Sequence, residues 1–144
     1  MSKLTYYQSA VIGAGPVRLV ILLYDRLILD LNRAVEAMQT GDVEKRVEQV
    51  NHAMLILQQL EGSLESEQDP VGASIQSQFY SITRAKILEA HIKSSVEIFK
   101  QQVALFQDVR LAWETVEKAD ESQGTGGSPT VALEQAPRSL DTAL

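Results

Sequence analysis

The residues able to do chemistry in this chain are few, and their spacing suits none of the familiar sites. His52 and His91 are its two histidines. A carboxylate-bridged metal in a helical bundle needs inward Glu side chains and a Glu three residues before a His. Gln49 and Leu88 stand there instead, so both histidines read as helix-surface or boundary residues. With no cysteine, disulfides, thiol catalysis and thiolate metal sites are excluded. Gly13-Ala14-Gly15-Pro16 has the look of a phosphate loop, yet Arg18 occupies the place of a third glycine and no Lys-Ser/Thr pair follows. No alternating strand pattern precedes it. The Asp and Glu residues are interspersed with Lys and Arg, and no pair stands out as a tuned acid and base. No enzyme activity, cofactor or metal is expected.

Composition narrows the partner class. A net charge of −6 disfavours nucleic acid, whose affinity comes mostly from Lys and Arg neutralising phosphates. No secretory leader pattern opens the sequence, and the longest apolar run, Leu19 to Tyr24, is far short of a membrane span. The expectation is a cytoplasmic protein without stable membrane insertion, and the length of 144 residues fits one domain.

The elements that must position a site are helices. Glycine and proline fall almost wholly outside four segments with helical periodicity, the pattern of an all-α, antiparallel four-helix bundle. Pro16 suits the first helical position, and Gly41 follows the last residue of helix one, Thr40. Asp42 can cap helix two, whose stripe is Val43, Val47, Val50, Met54, Leu57 and Leu64, widened by Ala53 and Leu60. Residues 66–73 carry turn formers and read as a loop. Helix three then presents Ile75, Phe79, Ile82 and 87–90. Ser94 and Glu97 have capping-box spacing for helix four, along which Val96, Phe99, Val103, Phe106, Val109, Trp113 and Val116 share one face. Residues 119–144 lack aromatics and are rich in Gly, Ser, Thr, Pro and Ala, which reads as a disordered tail. The expected organisation is a segment over 1–15, a bundle over 16–118 and a tail over 119–144.

Helix one carries more apolar residues than one stripe requires. At about 100° per residue, Val17, Val20, Ile21, Tyr24, Ile28, Leu31, Val35 and Met38 form a core face. Leu19, Leu22 and Leu29 lie outside it, and Leu23 is at its margin. On helix two Leu55 points away from the stripe and Ile56 is near its edge. A helix touching several neighbours could account for this. The alternative is a groove for another chain, since apolar surface beyond a few hundred Å2 usually has a partner. Residues 1–15, with Leu4, Tyr6, Tyr7, Val11 and Ile12, are too few for a domain but apolar enough to act as a lid over such a groove.

These residues also carry a resemblance. Tyr6, Val11, Ala14 with Pro16, and Leu23-Tyr24-Asp25 resemble, in order and spacing, the opening pattern of the FliS family of flagellin-specific export chaperones. Ala53, Ile56, Leu60 and Ser63-Leu64 are similar to its second-helix pattern. Phe79-Tyr80 stands for its Leu-Tyr, Ala90 for the Ala of its Ala-Asn, and Arg110 to Trp113 for its Leu-Arg-x-x-Trp ending. The likeness spans roughly residues 6–116. Departures are Gly15 for a capping Ser, Arg26 for the Gly after Leu-Tyr-Asp, Ile82 for a second Tyr and His91 for Asn. Arg26 requires either a different local packing or a reach into solvent. The resemblance implies a cytoplasmic bundle, monomeric with one client chain. It would bind the disordered C-terminal segment of flagellin, block premature polymerisation and engage the export-gate component FlhA, with no nucleotide or metal. The residues expected to meet the client are Tyr6, Val11, Leu19, Leu22, Leu23, Leu55, Ile56, Leu60, Phe79 and Tyr80. A small self-associating structural bundle is the alternative.

Overall fold

In the computed structural model, residues 15–64 and 70–123 are described, and they form the expected antiparallel four-helix bundle. Helix α1 spans Pro16–Thr40, α2 Val43–Leu64, α3 Pro70–Lys93 and α4 Val96–Gln123. Helix α1 starts on Pro16, whose missing N–H leaves nothing unpaired, while the Gly15 carbonyl accepts from Leu19 N at 3.1 Å. It stops at Gly41, whose φ of 76° is left-handed and cheap only for glycine. There Asp42 N donates to Ala37 O at 2.8 Å and Gly41 N to Met38 O at 3.3 Å, which satisfies the final carbonyls. Asp42 then caps α2 as expected, its Oδ1 accepting from Lys45 N at 3.0 Å.

Three local expectations are corrected. The loop expected over 66–73 is shorter, because α3 begins at Pro70. Proline is at home in a first turn, and the roughly 1 kcal/mol penalty of a helical Gly72 is small enough for packing to override. Second, Ser95 and not Ser94 is the cap of α4. Its Oγ accepts from Ile98 N at 3.1 Å, whereas Ser94 takes a left-handed φ of 53° that closes α3 through Ser95 N to Ala90 O at 2.9 Å. Glu97 therefore sits one position too early for a capping box. Third, α4 continues to Gln123, so 119–123 are helical; the remainder of the expected tail, the expected lid over 1–15 apart from Gly15, and residues 65–69 lie outside the described residues.

Ion pairs fix the directions of the helices. Arg18 and Asp25 near the start of α1 meet Glu117 and Arg110 near the end of α4, and Asp30 of α1 meets His52 of α2. Glu61 of α2 pairs with Arg84 of α3 at 2.6 Å. Helix α1 packs most extensively, against both α2 and α4, and α3 closes the bundle against the same two neighbours. The core face expected on α4 is observed, with Phe99, Val103, Phe106, Val109 and Trp113 buried. The α2 stripe holds from Val50 onward, with Val50, Ala53, Leu57 and Leu60 buried, but not at its N-terminal end. Ile56 is fully buried, while Val43 is 59% exposed and Val47 also lies at the surface. Ile56, expected only near the edge of the stripe, thus joins the core, while the first turns of α2 leave their two valines outside.

Tyr24 of α1 and Tyr80 of α3 join hydroxyls at 3.1 Å inside the bundle. Phe106 lies between the two layers, its ring centroid 5.9 Å from that of Tyr24 and 6.4 Å from that of Phe79. Burial pushes the Tyr24 phenol well up, with Tyr80 adding to the effect, and it pushes Tyr80 up as well. The pair is thus a neutral cross-brace. None of the described helices is long and apolar enough to cross a membrane.

Candidate functional site

The two edges of α1 differ in chemistry. Toward α4 the seam is closed by charge. Arg18 donates from Nε to Glu117 at 2.9 Å and from Nη2 at 2.5 Å, and Arg110 contacts Asp25 through Nε and Nη2 while its Nη1 reaches Glu114. The Asp25 carboxylate, then Glu114, holds the Arg110 guanidinium even more firmly protonated than usual.

Toward α2 the seam contains a buried ion cluster with apolar flanks. Asp30 is 0% exposed; its Oδ2 lies 2.5 Å from His52 Nδ1, and its Oδ1 lies 3.0 Å from Arg26 Nε. The Arg26 contact has the distance of an ion pair without the direction of a hydrogen bond, so the guanidinium is attracted but not saturated. Burial pushes the Asp30 carboxyl up, opposed by the His52 hydrogen bond and charge and then by Arg26 and Arg33. Arg26 resolves the question raised by its departure from the family glycine. It is only 5% exposed, and it folds along its own helix onto Asp30, four residues on, rather than reaching into solvent.

Leucines flank this cluster. Leu22 is one turn before Arg26, Leu29 directly precedes Asp30, and both are half-buried and absent from the packed core. The Asp30–His52 contact fixes the register of the two helices, which brings Leu55, one turn beyond His52 and 48% exposed, to the same seam. Leu22, Leu29 and Leu55 thus give α1 and α2 an apolar surface strip outside the packed core, on the same two helices as the incompletely satisfied arginines.

The residues expected to meet a partner divide by burial. Tyr6 and Val11 lie outside the described residues. Leu19 is half-buried and packed on the core, and Leu22 and Leu55 are at the surface strip. Leu23, Ile56, Leu60, Phe79 and Tyr80 are enclosed in the core, where they shape the surface from beneath. Expectation missed Arg26, Asp30 and His52 as one cluster. The available signal was an Arg and an Asp four residues apart on an otherwise apolar helix. Among the described residues no group of three or more His, Asp or Glu is arranged to hold a metal.

Several family-like motif residues are brought together far from where sequence separates them. Tyr24 bonds Tyr80, Asp25 pairs with Arg110, and Trp113, three residues after Arg110 on α4, is in the core. An antiparallel four-helix bundle built on these braces, with an apolar strip along one seam, is the class of molecule described here. Residues 2–120 match the model of the family described as flagellar protein FliS, and the chain belongs to that family. It is similar to the flagellar secretion chaperone FliS of Salmonella typhimurium, at 26% identity over 110 residues, covering 76% of this chain and 82% of that one. It is also similar to the flagellar secretion chaperone FliS of Bacillus subtilis, at 25% identity over 124 residues, covering 85% of this chain and 92% of that one.

Proposed function

We propose that this protein is a flagellar export chaperone that binds the disordered C-terminal segment of flagellin in the cytoplasm. It holds that segment back from premature polymerisation and supports its delivery to the export gate, where FlhA is the component engaged. The observation that carries this reading is the surface strip of Leu22, Leu29 and Leu55 in a chain of the FliS family that is similar to two proteins named flagellar secretion chaperones. An amphipathic client helix can lay its apolar face on such a strip. Its coupled folding supplies the free energy of capture, so no nucleotide is needed. Residues 1–15 cover part of the strip in the free protein and give way to the client, with Tyr6 and Val11 as their apolar contacts.

The test is complex formation by the full chain with flagellin from the same bacterium, followed by mass measurement. The expected species is one chaperone with one flagellin, and flagellin lacking its C-terminal segment should form none. Self-association through Leu88 and the 79% exposed Ile92, one turn apart on α3, is the competing reading. A homo-oligomer that ignores flagellin would establish it instead.

A further inference from the structure

The ion cluster under the strip is not balanced. Arg26, Arg33 and His52 surround a single carboxylate, Asp30. Arg33 Nη1 is buried without a hydrogen-bond partner, and Arg26 reaches Asp30 through Nε alone. Asp25, next to Arg26 in sequence, is engaged by Arg110, while Glu36 and Glu48 are exposed and make no ion pair with Arg26 or Arg33 among the described residues. In a chain whose net charge is −6, two arginines sharing one carboxylate leave this seam locally short of negative charge. A guanidinium out of water is stabilised mainly by carboxylates, and it prefers two-pronged contact.

We propose that the α1/α2 seam is a carboxylate-recognition site: Arg26, Arg33 and His52 together receive an Asp or Glu side chain of the docked client helix. The inference rests on the chaperone reading and adds the chemistry by which the client is chosen. Residues 1–14 contain no Asp or Glu, only Lys3 among charged side chains, so that part of the chain offers the arginines no carboxylate. A client helix carrying an acid at the right turn covers the leucines and supplies one. That carboxylate gives an acid-bearing client an advantage that apolar contact alone would not provide. The half-buried Arg33 and the His52 side chain, 22% accessible, are the open side from which the carboxylate arrives.

The experiment is titration calorimetry of the full chain with the C-terminal segment of flagellin from the same bacterium, for the wild type, Arg33→Gln and Arg26→Gln. Each is measured against client variants in which one acid at a time becomes its amide. The expected result is that each arginine variant binds about tenfold more weakly, as loss of a close charge pair predicts. One client position should be coupled, so that its amide form costs the wild type affinity but costs the arginine variants little. If Arg26→Gln unfolds because Asp30 loses its partner, Arg33→Gln carries the comparison, since Arg33 forms no ion pair between helices among the described residues. Equal binding by the wild type and the folded arginine variants, with no coupled client acid, would overturn the carboxylate site while leaving the chaperone reading intact. Failure of the wild type to bind any flagellin segment would instead overturn the chaperone reading. Tighter client binding by Glu134→Gln or Asp141→Asn would identify an acid of this chain's own C-terminal stretch as the occupant, also against the proposal.

Discussion

Trp113→Ala is expected to lower the free energy of unfolding by about 3–5 kcal/mol, read from chemical denaturation. The indole is 1% exposed and lies on the α4 face with Phe99, Phe106 and Val109. Truncation removes its transfer free energy and leaves a cavity that the close-packed core can fill only in part. Client affinity of the fraction that remains folded should change little, because the side chain does not reach the surface. A variant as stable as its parent that no longer binds client would place Trp113 in the binding surface and contradict the packing described.

Asp30→Ala should be comparably severe, at about 3–5 kcal/mol, for an electrostatic reason. The substitution removes few atoms, but it leaves Arg26 buried without its counter-charge and His52 without its hydrogen-bond partner. Replacing both members of the pair, as in Arg26→Met with Asp30→Leu, should recover most of that loss, since an apolar pair of similar size avoids the desolvation of two charges. Thermal or denaturant melts of the single and double variants check this through the non-additivity of the cycle. Additive losses would mean that the pair is solvated and contributes little.

The sequence made the helices legible where punctuation and periodicity agreed. Pro16 and Gly41 bound α1, Asp42 caps α2, and the seven apolar positions of α4 share the face that is buried or half-buried. It was less informative where two local signals competed. Ser94 and Ser95 are both capping residues, and only the left-handed backbone that closes α3 at Ser94 decides that Ser95 begins α4. On α2, Val43 and Val47 belong to the same periodic stripe as Val50 and Leu57. Periodicity shows that a helix has an apolar face, but the closest neighbour sets which part of a wide face turns inward. Here that neighbour is α1, and Ile56 takes the interior position.

Pairings across the bundle were beyond the reach of local pattern. Asp25 and Arg110 are 85 residues apart, and Tyr24 and Tyr80 are 56 apart. Each was visible as a motif residue, but its role as a brace depends on how the helices meet. The strip at the α1/α2 seam was half legible. Excess leucines pointed to a surface, and Leu22 and Leu55 are found there, whereas Leu23, Ile56, Leu60, Phe79 and Tyr80 proved to be its foundation. The charges beneath were hidden because Arg26 reads only as needing a different local packing or a reach into solvent, and Asp30 is not singled out. Only burial turns them into a site.

The central claim is that the surface leucines of the α1/α2 seam hold flagellin. Its most direct test is the affinity of the flagellin C-terminal segment for the full chain carrying Leu22→Ser and Leu55→Ser, measured beside the wild type with thermal melts of both. Neither leucine belongs to the packed core, so the melts should differ by only about 1 kcal/mol. Affinity should fall by at least roughly tenfold, as expected when two apolar anchors are lost. Unchanged affinity in a folded variant would contradict the account and move the client to another face of the bundle.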